Sequence, residues 1–167
     1  KMETIIVTAS RTPLALSDTA SAISIFSAAE IQQRNASSIA ELLREIPGFA
    51  LSQQGSKGAV TQLRVRGAEA NQVLVLIDGI EVNDVAQGSE FNFAHLLTSQ
   101  IQRIEVIRGP QSALWGSDAL AGVINVQTLA DTPGQPAGQA QANMEIGSFN
   151  SWAYGTSLLT AGENYQL

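Results

Sequence analysis

No run of apolar residues in this sequence is longer than five, and this feature constrains the fold more than any other. The longest run extends from Val73 to Ile77, whereas a helix that crosses a lipid bilayer needs roughly 20 apolar residues. Short apolar runs separated by turn-forming residues are typical of short strands and helices. We therefore expect short elements and no membrane-spanning helix within these 167 residues.

The composition predicts one folded domain with a polar but weakly charged surface. Hydrophobic residues make up 44% of the chain, which is enough to form a core, but only 14% of the residues are charged. The net charge of -6 disfavours nucleic acid as a partner, because binding to phosphates requires a basic surface. There is no cysteine, which excludes disulfides and thiolate metal sites. A surface of this kind suits burial inside polar surroundings.

Local patterns predict alternating short strands and helices in the central part of the chain. Two capping boxes, at residues 27–30 and 38–41, each indicate the start of a short helix. Pro47 and Gly48 end the second of these helices. Strands are predicted at residues 23–26, 60–67, 73–78, 101–107 and 123–126, loops at residues 53–59 and 83–92, and a helical turn at residues 93–97.

A change of composition at residues 131–136 (DTPGQP) predicts a domain boundary. Beyond it, polar residues alternate with apolar or aromatic residues along two segments, as they do in membrane barrel strands; these segments are residues 139–146 and 151–159. We therefore divide the chain into three parts. They are an arm at residues 1–21, a central domain at residues 22–130, and a linker with one hairpin at residues 131–167.

The sequence offers no set of residues suited to catalysis. His95 is the only histidine, and the G-x-S-x-G motif of serine hydrolases does not occur. The glycine-rich segment 109–116 lacks the lysine of a phosphate-binding loop. Asp78, Glu81 and Asp84 lack the spacing of a calcium-binding loop. We expect neither an enzyme nor a bound cofactor or metal ion.

The N-terminal arm contains a β-branched run at residues 4–8. An extended segment of this kind can add itself as a strand to the edge of a partner's sheet. It can equally be an edge strand of its own domain, and both interpretations follow from the same residues.

Two arginines, Arg66 and Arg108, each end a predicted strand and precede a glycine. One interpretation is that they form ion pairs on the surface of their own domain, which contribute little to stability. The other is that both guanidinium groups bind carboxylates of another domain.

The order of motifs along the chain resembles that of TonB-dependent outer-membrane receptors. The segment ETIIVTA at residues 3–9 resembles their Ton box, and residues 137–160 resemble the first strands of their barrel. Between these lie motifs similar to those of the plug domain: LLREIPG at 42–48, VRG at 65–67, VLIDG at 75–79, IEVIRGP at 104–110 and SALWGSDALAGVIN at 112–125. The ordered series is far more specific than any single motif.

The resemblance implies an α+β fold. It consists of a globular plug domain with a mixed sheet of about four strands and short helices, lying in the lumen of a large barrel. About 22 barrel strands need more than roughly 200 residues, so only the first one or two strands of a truncated barrel would be present. The resemblance also implies that Arg66 and Arg108 face acidic residues of the barrel wall, which this chain lacks.

The implied function is gating and ligand recognition during energised uptake of a large, scarce nutrient across the Gram-negative outer membrane. The isolated fragment would be soluble or periplasmic. The implied partners are the rest of the barrel and the C-terminal domain of TonB, which would bind the Ton box at Glu3, Thr4, Ile5, Ile6, Val7, Thr8 and Ala9.

The motifs are most similar to those of cobalamin receptors. Ferric-siderophore receptors are the alternative within this class, and a free-standing periplasmic solute-binding module is the alternative from another class. The resemblance implies that the ligand is contacted by outward-facing loops and residues near them: Gln54, Ser56, Lys57, Val60, Gln62, Glu69, Asn83, Asp84, Gln87, Gly88 and Ser89.

Overall fold

The computed structural model of this chain describes residues 5–6, 14–15, 22–56, 58–128, 139–159, 161–162 and 165–166. Its strands are β1 (Ile5–Ile6), β2 (Leu14–Ala15), β3 (Ala22–Ser27), β4 (Phe49–Gln53), β5 (Thr61–Val65), β6 (Val73–Ile77), β7 (Ile80–Glu81), β8 (Ile101–Arg108), β9 (Gly122–Thr128), β10 (Gln139–Gly147), β11 (Ser151–Leu159), β12 (Ala161–Gly162) and β13 (Tyr165–Gln166). The helices are α1 (Ala28–Arg34), α2 (Ile39–Arg44) and α3 (Ser112–Trp115).

A mixed sheet with the order β3-β8-β9-β6-β7 forms the centre of the fold. Strands β6 and β9 run parallel, and the other neighbouring pairs are antiparallel. The predicted mixed sheet with short helices is confirmed: four longer strands form it, and the two-residue β7 extends one edge. Strand β3, predicted at residues 23–26, occupies the opposite edge.

Apolar side chains cover both faces of this sheet. On one face, α1 and α2 bury Ile31, Ile39, Leu42 and Leu43 against the strands. On the other face, a smaller cluster joins Leu74, Leu76, Ala119 and Val123, with Trp115 packed against it. Every buried member of the two clusters lies between residues 26 and 126, so this segment contains the hydrophobic core.

The two predicted capping boxes have different outcomes. At α1, Ser27 N–H donates to Glu30 Oε2 at 2.8 Å and Glu30 N–H donates to Ser27 Oγ at 3.4 Å, as predicted. At α2, the Ser38 side chain makes no capping bond, and Glu41 accepts from the backbone N–H of Ser37 at 2.8 Å. Ser38 remains the N-cap residue and forms an isolated β-bridge with Leu97, while Ser37 makes the bonds to Glu41.

Strand β4 is an element that the sequence patterns did not reveal. It pairs only with β5, in a two-stranded sheet separate from the central one. Leu63 and Val65 of β5 are fully buried, whereas Phe49 and Leu51 of β4 are half-buried. The hairpin therefore packs one apolar face on the core and does not extend the central ladder.

Strand β8, predicted at residues 101–107, extends over Ile101–Arg108 and contains a buried carboxylate. It lies between β3 and β9, and Glu105 is fully buried there with its carboxylate 2.9 Å from the Arg103 guanidinium. A strand inside a sheet that is covered on both faces loses the polar and apolar alternation of an exposed strand.

Strands β10 and β11 form the predicted hairpin, with nine paired positions from Gln139↔Leu159 to Gly147↔Ser151. Several large apolar side chains of this hairpin are exposed, among them Met144, Ile146, Trp152, Tyr154 and Leu158.

Among the described residues, no helix is long and apolar enough to span a membrane.

Candidate functional site

The loop after β7, residues 83–92, is held in shape by its own side chains. The Asp84 carboxylate accepts from Ala86 N–H at 2.9 Å and from the Gln87 side-chain amide at 2.7 Å. The Asp84 backbone forms an isolated β-bridge with Glu90. These bonds close the loop into a compact turn whose tip is formed by residues 85–88.

Two contacts attach this loop to the β4–β5 hairpin. Thr61 N–H donates to the side-chain oxygen of Asn92 at 3.0 Å. The Gln62 side-chain amide donates to the carboxylate of Glu90. The hairpin loop, residues 54–60, is closed by a bond from Gln54 N–H to the Val60 carbonyl at 3.0 Å. The two loops therefore form one continuous surface.

The structure divides the residues implied as ligand contacts into three groups. Exposed in the two loops are Gln54, Ser56, Val60, Asp84, Gln87 and Gly88. Half-buried, with side chains or backbone bonded inside the loops, are Gln62, Asn83 and Ser89. Lys57 lies outside the described residues.

Glu69 lies apart from the two loops. It follows the far end of β5, where its carboxylate is 3.4 Å from the Arg64 guanidinium and both side chains are exposed. Five residues of β5 separate that end from the hairpin loop, a distance of about 17 Å. The structure therefore does not bring Glu69 together with the other candidate ligand contacts.

Val85 is a candidate contact that the sequence analysis missed. It lies at the tip of the loop with 84% of its surface exposed. Val85 is the one branched aliphatic residue of the segment NDVAQGSEFN, and this was the signal in the sequence. A rigid loop that keeps an apolar side chain in water is a candidate for contact with an apolar part of a ligand.

The arginines Arg66 and Arg108 meet at one turn of the chain. Arg66 N–H donates to the Gly48 carbonyl at 2.7 Å, and Arg108 Nη1 donates to the Pro47 carbonyl at 3.4 Å. Within the described part of the chain, neither arginine forms an ion pair with a carboxylate. Because β4 and β5 separate this turn from the hairpin loop, the arginines and the two loops occupy opposite ends of the hairpin.

Only two residues of the Ton-box-like segment are described. Ile5 and Ile6 form β1, which pairs antiparallel with β2 of the same arm. Glu3, Thr4, Val7, Thr8 and Ala9 lie outside the described residues. The arm hairpin is separate from the central sheet.

In the described ranges, no three or more histidine, cysteine, aspartate or glutamate side chains are grouped so that they could hold a metal ion. His95 is exposed in a single 3-10 turn, Phe93–His95, at the position of the predicted helical turn.

Comparison with known sequences adds independent evidence. Residues 15–123 match the family described as "TonB-dependent Receptor Plug Domain". The chain is 36% identical over 167 residues to the protein named vitamin B12 transporter BtuB of Vibrio vulnificus strain CMCP6, covering 96% of this chain and 27% of that protein. The protein of the same name from strain YJ016 is 34% identical over 146 residues, covering 87% of this chain and 23% of that protein. The chain thus spans about a quarter of these relatives.

Solved structures share the fold. The outer-membrane ferripyoverdine receptor of Pseudomonas aeruginosa superposes with a TM-score of 0.77 at 19% identity, over 96% of this chain and 20% of that chain. The alcaligin outer-membrane receptor FauA of Bordetella pertussis gives a TM-score of 0.73 at 15% identity, over 93% of this chain and 26% of that chain.

Proposed function

Because the chain belongs to the family of TonB-dependent receptor plug domains, we propose that it gates an outer-membrane receptor for cobalamin and forms part of the ligand site. The observation that carries the choice of ligand is the 36% identity, over 96% of the chain, to a vitamin B12 transporter. Solved siderophore receptors are 15–28% identical to this chain, which is below the 36% identity to the vitamin B12 transporter, and they support the fold.

The charge of the loops also favours cobalamin. Residues 83–92 contain two carboxylates and no basic side chain, and residues 54–62 contain a single lysine. An anionic iron chelate is attracted by basic loops, because charges of opposite sign steer and select partners. Cobalamin presents neutral amide groups around a large ring, and the exposed Gln54, Ser56 and Gln87 can exchange hydrogen bonds with such groups.

We further propose that other parts of the chain make the contacts with TonB and with the barrel that the resemblance implies. The segment from Glu3 to Ala9 binds the C-terminal domain of TonB by strand addition. Arg66 and Arg108 bind carboxylates of a barrel that surrounds residues 22–130, while residues 131–167 lead into that barrel. The absence of a carboxylate partner for either arginine within the described chain supports this division.

This proposal places the protein in the outer membrane as a transport component without catalytic activity. Its support is that the relatives are transporters and outer-membrane receptors.

Strand β3, at the open edge of the central sheet, is the element that would yield first when the arm is pulled, because an edge strand is released by breaking one ladder of hydrogen bonds.

The test is a chimera in which these 167 residues replace the aligned segment of the Vibrio vulnificus BtuB. In cells that lack their own receptor, we expect the chimera to restore uptake of labelled cyanocobalamin in the presence of TonB. A matched chimera carrying the corresponding segment of the ferripyoverdine receptor should not restore it. Uptake of ferripyoverdine without uptake of cobalamin would support the siderophore alternative and contradict the proposal.

A further inference from the structure

The outer edge of β6 is completed by a side chain. Strand β7 has only two residues and pairs only with Leu76 and Ile77, so on its outer side the first half of β6 has no neighbouring strand, while β9 pairs with its inner side. There, Asn83 Oδ1 accepts from Val75 N–H at 2.8 Å and Asn83 Nδ2 donates to the Val73 carbonyl at 2.9 Å. The side-chain amide of Asn83 thus occupies the place of a backbone peptide in the ladder.

The same amide also holds the loop. Asn83 Nδ2 donates its second hydrogen to the carbonyl of Ser89 at 2.9 Å. Ser89 has a positive φ of 61°, which a residue with a side chain rarely adopts. Its N–H donates to the Asp84 carbonyl at 2.9 Å, so the backbone of Ser89 is held through both its N–H and its carbonyl.

We propose that Asn83 is the positioning residue of the ligand-binding surface, an inference that rests on the proposed function of loop 83–92. Through its hydrogen bonds to Val73, Val75 and Ser89, it fixes the part of the loop around Ser89 against the edge of the sheet. The tip, with Val85 exposed, is then presented in one conformation before a ligand arrives. Both hydrogens of its amide and one lone pair of its oxygen are engaged in these bonds, so Asn83 acts by holding the loop.

Only an asparagine satisfies these requirements. The site needs one hydrogen-bond acceptor and two donors on a side chain of this length. A carboxamide provides the acceptor through its oxygen and the two donors through its NH₂ group. Aspartate keeps the size and the acceptor but has no donor for the Val73 and Ser89 carbonyls. Alanine provides no polar group. The pair of Asn83→Asp and Asn83→Ala therefore separates hydrogen bonding from the filling of space.

The first measurement is hydrogen exchange on the 167-residue chain without ligand. We expect both variants to exchange faster at the amides of residues 84–90, with β8 and β9 as protected as before. The control is Asn35→Ala, at the left-handed C-cap of α1 (φ 50°), which lowers stability without removing a hydrogen bond of residues 83–92. It should leave the exchange of residues 84–90 unchanged relative to the core strands.

The second measurement is cyanocobalamin affinity in the chimera described above. A loop that must be ordered during binding gives weaker binding, so we expect Kd to rise about tenfold or more for both variants and to stay unchanged for Asn35→Ala. Wild-type exchange in residues 84–90 of Asn83→Asp would overturn the proposal, as would faster exchange with an unchanged Kd. If the parent chimera does not bind cyanocobalamin, the proposed ligand is wrong, and the exchange data still decide the role of Asn83.

Discussion

At the scale of single residues, the start of α1 depends on the reciprocal contact between Ser27 and Glu30. The hydrogen bond from Ser27 N–H lowers the pKa of Glu30, the Ser27 hydroxyl lowers it further, and Arg34 contributes less. A carboxyl group whose pKa is lowered by folding stabilises the folded state above its unfolded pKa, and this contribution is lost as the pH falls through the folded pKa.

Glu30→Gln should therefore lower the melting temperature near neutral pH, by about 1–4 °C for a helix cap in a chain of this size. The difference from the wild type should disappear once the pH is below the lowered pKa of Glu30. Thermal melts followed by circular dichroism between neutral and strongly acidic pH test this. Glu69→Gln, which removes only an exposed ion pair with Arg64, is the control with no expected effect. A pH-independent difference would contradict the capping explanation.

Residue patterns predict local bonds well and tertiary bonds poorly. The box at Ser27 was predictable because both of its bonds lie within one turn, whereas Ser38 at the start of α2 forms a bridge with Leu97, 59 positions away, which no local pattern indicates. The same limit applies to the candidate site. The sequence indicated loop 83–92 but not that Asn83 would be engaged with β6, since that contact depends on where β7 ends.

At the scale of elements, strand β1 is the proposed attachment point for TonB. A proline has no N–H and fixes φ, so Ile6→Pro should weaken binding of the TonB C-terminal domain by about tenfold or more. Calorimetric titration measures this affinity. Ser17→Pro, in the spacer after the strand, is the matched control and should bind as the wild type does. Equal affinity of Ile6→Pro and wild type would contradict strand addition.

Element prediction was incomplete where the local pattern was weak and where burial depends on neighbouring strands. β4 was missed because only Phe49 and Leu51 of its five residues face the core, and this weak pattern directly follows the helix stop at Pro47 and Gly48. Strand β8 was predicted, but the sequence did not indicate that Glu105 would be buried, because its burial follows from a neighbour on each side.

At the scale of the whole molecule, the core does not require the C-terminal hairpin. All buried members of both core clusters lie between residues 26 and 126. Deleting residues 136–167 should therefore leave a single cooperative thermal transition. It should also improve solubility, because the hairpin exposes Met144, Trp152 and Tyr154 on strands prone to association. A broad, non-cooperative transition after the deletion would show that the hairpin is part of the core.

We have proposed that the two loops form one wall of a ligand site that a barrel completes. Titration of the isolated 167-residue chain with cyanocobalamin tests this proposal. A site enclosed on one side buries too little of a large ligand for high affinity, so we predict a Kd weaker than about 100 μM for the chain alone and much tighter binding for the chimera. Tight, saturable binding by the isolated chain would contradict the plug assignment of the site and support a free-standing solute-binding module.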